Sequence, residues 1–533
     1  IMPSVFTFFN GITLTYSQNR AIEAIVAFLA DEKARVFILK GYAGTGKTTI
    51  VKGLTDYLSS EKKTFHCLAP TGRAARVMSA KSGRVARTLH SEIFTKAKTT
   101  VNPDTQSFHT KFVLKDQTPM DGTIYMLDEA SMLSDNESDS GENLNFGSGR
   151  NMADFFTYLK MEENSKTKVI FIGDEAQLPP VKSTFSPALD AQYIQTVFGY
   201  ECREATLSDI VRYDNEILDA ATLVRESITS KVLNSHIPLS AGDVEVVRGY
   251  QSLIKAYMNK VHDVEDTRSH MILAFSNSAV DQYNGIIREK LFPESKNELC
   301  AGDRIMIAAN NYQGDDILMN GEFADILSVG RLEIVIERIK ANYHIEERDS
   351  VKQVGQNEYE VELHFRDALI KVSGGAEQEV KLIENLFYSG AAGMTREVRQ
   401  ALFTNLWRRI SEENPHKEKD EIKRRVETRI STDPYINAVY AKFGYAVTGH
   451  KAQGGEWNSV FVNPWGAKPD TLEHYRWIYT AYTRAARHLT IEWTQPVENK
   501  KVEEPPRIYP VRKVVQTTIT TPDGKILSKK PKL

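Results

Sequence analysis

Apolar positions recur at helical spacing through SQNRAIEAIVAFLAD (17–31), which predicts an amphipathic helix, and RVFILK (35–40) then reads as a short buried strand. A glycine-rich turn and a second helix follow. TFHCLA (64–69), a helix from Thr71, TIYMLD (123–128) and KVIFIG (168–173) continue the alternation, which predicts an α/β domain with a parallel sheet over roughly 15–215. After a polar helical connection, HMILAF (270–275) precedes a helix from Asn277. The theme resumes only with SVFV (459–462), a helix near 471–486 and HLTIEW (488–493), so a second α/β domain is split by an insert.

Within that insert, about 330–440, β-rich stretches such as RLEIVIERI and EYEVELHF precede a helical run with Val398, Leu402, Leu406 and Ile410 on one face. A β-barrel with a helical arm is expected there. The arm's Arg396, Arg399, Arg408, Arg409, Lys423, Arg424 and Arg425 alternate with acids and read equally as a solvated surface or a track for a polyanion. SDNESDSGENLNFGSGR (134–150) reads as a flexible, acidic, solvent-facing loop. The tail, 496–533, holds nine Lys or Arg against four acids and reads as a disordered solubilising tail or a nucleic-acid arm. Either the 134–150 loop or the tail is a place for a protein partner.

Composition narrows the class. Hydrophobic residues make up 41% and charged residues 26% of 533, which sets aside collagen-like, disordered and disulfide-scaffold chains. Lys and Arg total 67 against 70 acids, a net charge of −3, so a polyanion must be met by a local basic channel. Cys67, Cys202 and Cys300 lie far apart with no CxxC spacing, which fits a reducing, cytoplasmic compartment. The N-terminal IMPSVFTFFN is too short for a span and lacks a basic n-region, so neither a membrane segment nor a secretory signal is expected.

Chemistry enters at GYAGTGKTT (41–49), which satisfies G-x-x-x-x-G-K-[ST] through Gly41, Gly46, Lys47 and Thr48 between an expected strand and helix. Backbone N–H groups from Ala43, Gly44, Thr45, Gly46 and Thr49 can curl round phosphates at the helix N-terminus. Lys47 then reaches the β and γ phosphates and Thr48 binds magnesium. Asp128 and Glu129 follow the apolar strand TIYML, where ligands of open α/β sheets collect, so Asp128 can share the magnesium and Glu129 can polarise an attacking water. A third strand end, GDEAQLPPV (173–181), offers Gln177 to sense the γ phosphate, followed by the rigid Pro179 and Pro180.

With these motifs in this order, residues 14–493 resemble superfamily-one DNA helicases of the RecD/Dda kind. The resemblance implies two RecA-like P-loop motor domains, 1–215 and 216–329 with 441–495. A β-hairpin is inserted near 95–120 and a small SH3-like barrel at 330–440. It implies ATP and Mg2+ as cofactors, single-stranded and forked DNA as partners, 5′-to-3′ movement, a monomer, and work in replication, repair or recombination. Gln18 is similar to the family's adenine-reading glutamine. LAPTGRAA (68–75) and ARTLHSEIF (86–94) look like strand-holding segments, placing Thr71, Arg73 and His90 near DNA. YAVTGHKAQGGEW (445–457) looks like the segment coupling DNA to ATP, with Thr448, His450, Lys451 and Gln453 at its informative positions. Its Gly449 departs from the small non-glycine residue expected there. Arg212 in TLSDIVRYDN and Arg484 in YTAYTRA align with two arginines that stabilise the transferring phosphoryl group.

The family's hairpin splits the duplex, and the NPDTQ turn between β-favouring runs agrees with a hairpin here. Phe108 or Phe112 can offer a ring to the first base pair, or either can be ordinary core. Other jobs use the same motor: a translocase that strips proteins from DNA, or the motor subunit of a recombination complex. From another class stands an ATP-switched RNA-binding module. A nuclease is disfavoured, since no compact acidic cluster is evident outside the phosphate site.

Overall fold

The computed structural model describes residues 4–116, 119–137, 144–211, 216–234, 242–295, 298–312, 317–343, 345, 350–387, 389, 391, 393–466, 468–495, 497–504, 507, 509, 519–520 and 526–527. Two parallel sheets organise it. In the first the order is Ala86–Thr88, Phe65–Ala69, Ile124–Leu127, Lys168–Gly173, Val36–Gly41, Cys202–Leu207, all parallel. Its inner strands are mostly apolar because helices cover both faces, while the edge strands carry Arg87, Arg203 and Glu204. One face buries Ile22, Ile25, Leu54 and Leu58 of the helices Tyr16–Ala30 and Lys47–Ser60, and the other buries Met152, Phe155 and Leu159 of Asn151–Leu159.

The second sheet runs Val244–Val247, Ala485–Glu492, Trp457–Asn463, His270–Ala274, Ala446–Thr448, again all parallel. Helices Glu216–Ser230 and Leu472–Tyr482 cover one face, Tyr250–Met258 and Asn277–Leu291 the other. These are two RecA-like motor folds. In the first, the strand Lys168–Gly173 separates the phosphate-loop strand from the strand that ends at Asp128, so three strand ends open on one cleft.

Arg304–Ile307, Phe323–Val329, Glu358–Val372, Glu377–Ile383 and Val439–Phe443 pair in a closed ring. The ring therefore starts earlier than the expected 330. Its first strand, RIMI, is four residues long with three consecutive apolar residues and no alternation, so it is indistinguishable by pattern from a strand of the second sheet. The long strand Glu358–Val372 leaves the ring at its first half to pair with Glu333–Lys340 and Val351–Gly355, and helix Arg396–Glu413 packs on that extension through Val398, Leu402 and Leu406. On this arm Arg408 pairs with Glu337 and Glu412, Arg409 with Asp433 and Arg425 with Glu421.

Phe94–Asn102 and Ser107–Leu114 form an antiparallel hairpin. Its turn is tied to the barrel's arm: Asp104 accepts Lys419 Nζ at 2.8 Å, and Gln106 Oε1 accepts Lys340 N at 3.0 Å and Gln400 Nε2 at 2.8 Å.

Two polar stretches differ from expectation. The 134–150 stretch is not simply a solvated loop, although 138–143 lie outside the described residues. Leu144–Phe146 adds a parallel strand to the hairpin, and the Phe146 ring stacks on Phe112 at 4.4 Å and 17°. Asp135 is buried, accepting Tyr193 OH at 2.7 Å and pairing with Arg150. A single Phe among Ser, Gly and Asn was enough to anchor the segment. The start of the tail is likewise built in: Lys500–Lys501 pairs with Val232–Leu233, and Val497 and Val502 pack on the second domain's core. Arg507 then pairs with Asp190 of the first domain at 2.6 Å. Among the described residues no helix is long and apolar enough to cross a membrane.

Candidate functional site

The apolar strand Val36–Gly41 delivers the loop that ends in helix Lys47–Ser60. Gly44 and Gly46 sit at φ of 77° and 81°, the left-handed region that favours glycine. A Cβ at Gly46 would also fall 2.4 Å from Gln18 Nε2. Lys47 Nζ donates to the carbonyls of Gly41 at 2.6 Å and Tyr42 at 3.0 Å, holding its ammonium over the helix N-terminus. Thr48 and Thr49 occupy the first helical turn. Gln18 is buried and both ends of its amide are engaged: Oε1 accepts Thr15 N at 3.0 Å, as half of a capping box, and Nε2 donates to Thr45 O at 3.0 Å.

Facing Lys47 is an excess of buried negative charge. Burial and adjacent Glu129 push the Asp128 carboxyl up to about 6, against the pull of Lys47. Burial also raises Asp174, offset by Lys47 and by a hydrogen bond from Tyr479. Glu129 follows at φ 51°, a strained setting for a residue with a side chain and one that over-determined sites retain. Among the described residues no three His, Cys, Asp or Glu side chains cage a metal. That donor set suits magnesium, which takes one or two protein oxygens and fills its octahedron with water and phosphate. Asp128 and Thr48 are the residues that would hold it.

The second domain is stitched to this cleft. Tyr479, fully buried on helix Leu472–Tyr482, accepts Ala43 N at 3.0 Å and donates to Asp174 at 2.8 Å, joining phosphate loop and acidic strand end. The peptide of Leu178, next to Gln177, is held from both sides: its N donates to Thr480 Oγ1 and its O accepts Gln453 Nε2, each at 3.0 Å. Gln177 Oε1 is buried without a hydrogen-bond partner among the described residues, an acceptor aimed into a sealed space. Arg484 Nε donates to Thr480 O at 3.0 Å, and its Nη1 to Gly455 O at 3.2 Å. Arg212 lies outside the described residues.

Sequence reasoning passed over Tyr479, Asp174 and Arg225, whose guanidinium lies 4.4 Å from the Tyr42 ring centroid. In sequence Tyr479 looks like a core position of an amphipathic helix, and no local pattern points to its partners Ala43 and Asp174 in the first domain.

The expected strand-holding residues divide. Thr71 caps helix Gly72–Ser82, its Oγ1 accepting Ala74 N at 3.2 Å. His90, Phe108 and Phe112 line one cavity of about 480 Å³ between the hairpin and the barrel, together with Phe146 and Tyr312, whose rings both pack against Phe112. Phe112 is buried in that aromatic group, and Phe108 packs on the core of the barrel extension, so neither ring is at the hairpin's turn. Thr448 caps the short helix Gly449–Ala452, and Lys451 Nζ donates to Asn320 Oδ1. His450 is half-buried, which lowers its pKa. Gly449 has a reason: a Cβ there would lie 2.5 Å from Trp477 Nε1. Arg73, expected near DNA, turns its guanidinium to the interdomain contact and lies 4.2 Å from the ring centroid of Trp457.

A family model described as an AAA domain matches residues 13–141, and one described as a UvrD-like helicase C-terminal domain matches 443–491. The ATP-dependent DNA helicase dda of Enterobacteria phage T4 is 27% identical over 400 residues, covering 71% of this chain and 81% of the relative. Uncharacterized protein R530 of Acanthamoeba polyphaga mimivirus is 23% identical over 522 residues, covering 89% and 98%. A solved Pif1 helicase from Bacteroides, in complex with ADP-AlF3 and ssDNA, has a TM-score of 0.43 at 14% identity, covering 90% of this chain and 93% of that one. With the phosphate loop inside the first matched segment and the Gln453 and Arg484 motifs inside the second, the chain is similar in both segments to superfamily-one helicases of the Dda kind.

Proposed function

We propose that this chain is an ATP-driven DNA helicase that moves 5′ to 3′ along single-stranded DNA and opens the duplex ahead of it. The observation that carries this reading is the cleft itself. Lys47, Asp128, Glu129 and Asp174 belong to the first domain, while Tyr479, Thr480 and Gln453 reach into it from the second. Nucleotide bound there touches both bodies, so its hydrolysis changes how they sit together. The name of the phage T4 relative carries the same activity.

In this reading Lys47 meets the β and γ phosphates, and the loop N–H groups from Ala43 to Thr49 cradle them with Gly41, Gly44 and Gly46 leaving room. Gln18 fixes the loop and lies beside the adenine. Thr48 and Asp128 hold magnesium, whose charge offsets that developing on the phosphoryl oxygens. Glu129 orients the attacking water and accepts its proton. Gln177, with its open acceptor, reports the γ position to the second domain through the clasped Leu178. Arg212 and Arg484 stabilise the transition state when the cleft shuts.

Thr71, Thr448, His450 and Lys451 hold the strand's backbone. His90, Phe108 and Phe112 line the aromatic cavity where bases can stack, and the hairpin braced by the barrel's arm parts the duplex. The motor bodies are 1–215 and 216–329 with 441–495, the latter giving up Arg304–Ile307, Phe323–Val329 and Val439–Phe443 to the barrel.

Titrating single-stranded DNA against steady-state ATPase tests this. Hydrolysis is expected to rise many-fold with DNA, and apparent affinity to fall steeply between 50 and 200 mM salt, roughly as counterion release requires. Equal stimulation by RNA of the same length would favour an RNA-switched module, and salt-independent affinity would contradict a phosphate track.

A further inference from the structure

Arg73 opens helix Gly72–Ser82 yet contributes nothing to its own sheet. Its guanidinium sits 4.2 Å from the Trp457 ring centroid and 5.2 Å from that of Phe323, a ring of the second sheet and a ring of the barrel. Among the described residues it makes no hydrogen bond or ion pair, and its Nη1 is sealed from solvent. The side chain is half-buried, and the two π faces are its partners among the described residues. Burial and the neighbouring guanidiniums of Arg484 and Arg304 push its pKa down to about 9.

The backbone is shaped around this contact. A Cβ on Gly455 would fall 2.2 Å from Arg73 Cζ, and one on Gly454 would fall 3.2 Å from Ala74 Cβ. The other side of the same segment belongs to Arg484, whose Nη1 donates to Gly455 O at 3.2 Å and whose own carbonyl accepts Trp457 N at 3.0 Å. Arg73 and Arg484 therefore grip one short run, Gly455 to Trp457, from opposite domains.

We propose that Arg73 is a positioning residue for Arg484. Its charge, fixed between Trp457 and Phe323, keeps Gly455 to Trp457 in register with the first domain. Arg73 stands two residues after Thr71, so a helix proposed to hold the strand and an arginine proposed to serve hydrolysis share one peptide. The inference rests on the transition-state role given to Arg484 above.

The test is a double-mutant cycle. Arg73→Met keeps the apolar stem and removes the charge, and Arg73→Gln serves as a second uncharged variant, so that misfolding of one does not decide the outcome. DNA-stimulated kcat is expected to fall on the order of tenfold in both. KM for ATP, DNA affinity and its salt slope should stay near wild type, and Arg73→Lys should recover part of kcat. In an Arg484→Ala background, Arg73→Met should cost nothing further. Additive losses in the double variant, or unchanged kcat in the single ones, overturn the proposal while leaving a slow Arg484→Ala and its reading intact. Weaker DNA binding with a flatter salt slope makes Arg73 a phosphate contact and overturns it as well. Normal hydrolysis in Arg484→Ala alone removes the parent reading and this proposal with it.

Discussion

Lys47→Ala is expected to abolish ATP hydrolysis while leaving the protein folded. The Lys47 ammonium spans the carbonyls of Gly41 and Tyr42 at the mouth of a helix, so truncation removes a cation and leaves no core cavity. What it exposes is charge: Asp174 is buried and Asp128 half-buried, and Lys47 restrains the elevated pKa values of both carboxyls. Without it, triphosphate must enter beside them uncompensated. Loss of one preorganised group facing developing charge costs about 10²- to 10³-fold in turnover, and weaker nucleotide binding compounds it. Melting temperature and steady-state ATPase on the variant check this. Turnover near that of the wild type would remove the motor reading.

Glu129→Gln is the second large effect, and it separates binding from chemistry. Gln keeps the shape of Glu, so the left-handed backbone at φ 51° and the 2.9 Å hydrogen bond from its N to Asp128 Oδ1 persist. The magnesium-holding pair, Asp128 and Thr48, is untouched. What disappears is the group that takes a proton from water, a loss of about 10²- to 10⁴-fold in kcat. Nucleotide affinity measured at equilibrium should stay within a few-fold of wild type while single-turnover hydrolysis collapses. If affinity and turnover both matched the wild type, Glu129 would not be the residue that orients water.

What the chain discloses before folding follows from how local each signal is. Gly41 to Thr49 lie in one strand–turn–helix, and Asp128 ends one apolar strand, so pattern and chemistry coincide within a few residues. The alternation of apolar strands with helices led to two RecA-like domains for the same reason. Tyr479 was invisible in that sense: its partners, Ala43 and Asp174, belong to another domain, and a Tyr on an amphipathic helix looks like core. The surroundings of Arg73 were equally hidden: its motif neighbours imply only a place near DNA, whereas two aromatic rings distant in the chain pack on its guanidinium. Phe146, alone in a polar stretch, is placed by a three-residue parallel pairing that no periodicity can signal. The barrel's first strand, RIMI, reads as part of the preceding domain because three apolar residues behind one Arg do not reveal which sheet they join.

In the proposed cycle, closing the cleft between Lys47 and Arg484 drives this chain along a single strand and through a duplex. Unwinding of duplexes that differ only in carrying a 5′ or a 3′ single-stranded tail, with ATP and magnesium, measures it most directly. Duplexes with the 5′ tail should open in an ATP-dependent way, and those with the 3′ tail should stay paired. Opening from the 3′ tail, or ATP hydrolysis on both tails with neither duplex opened, would contradict it.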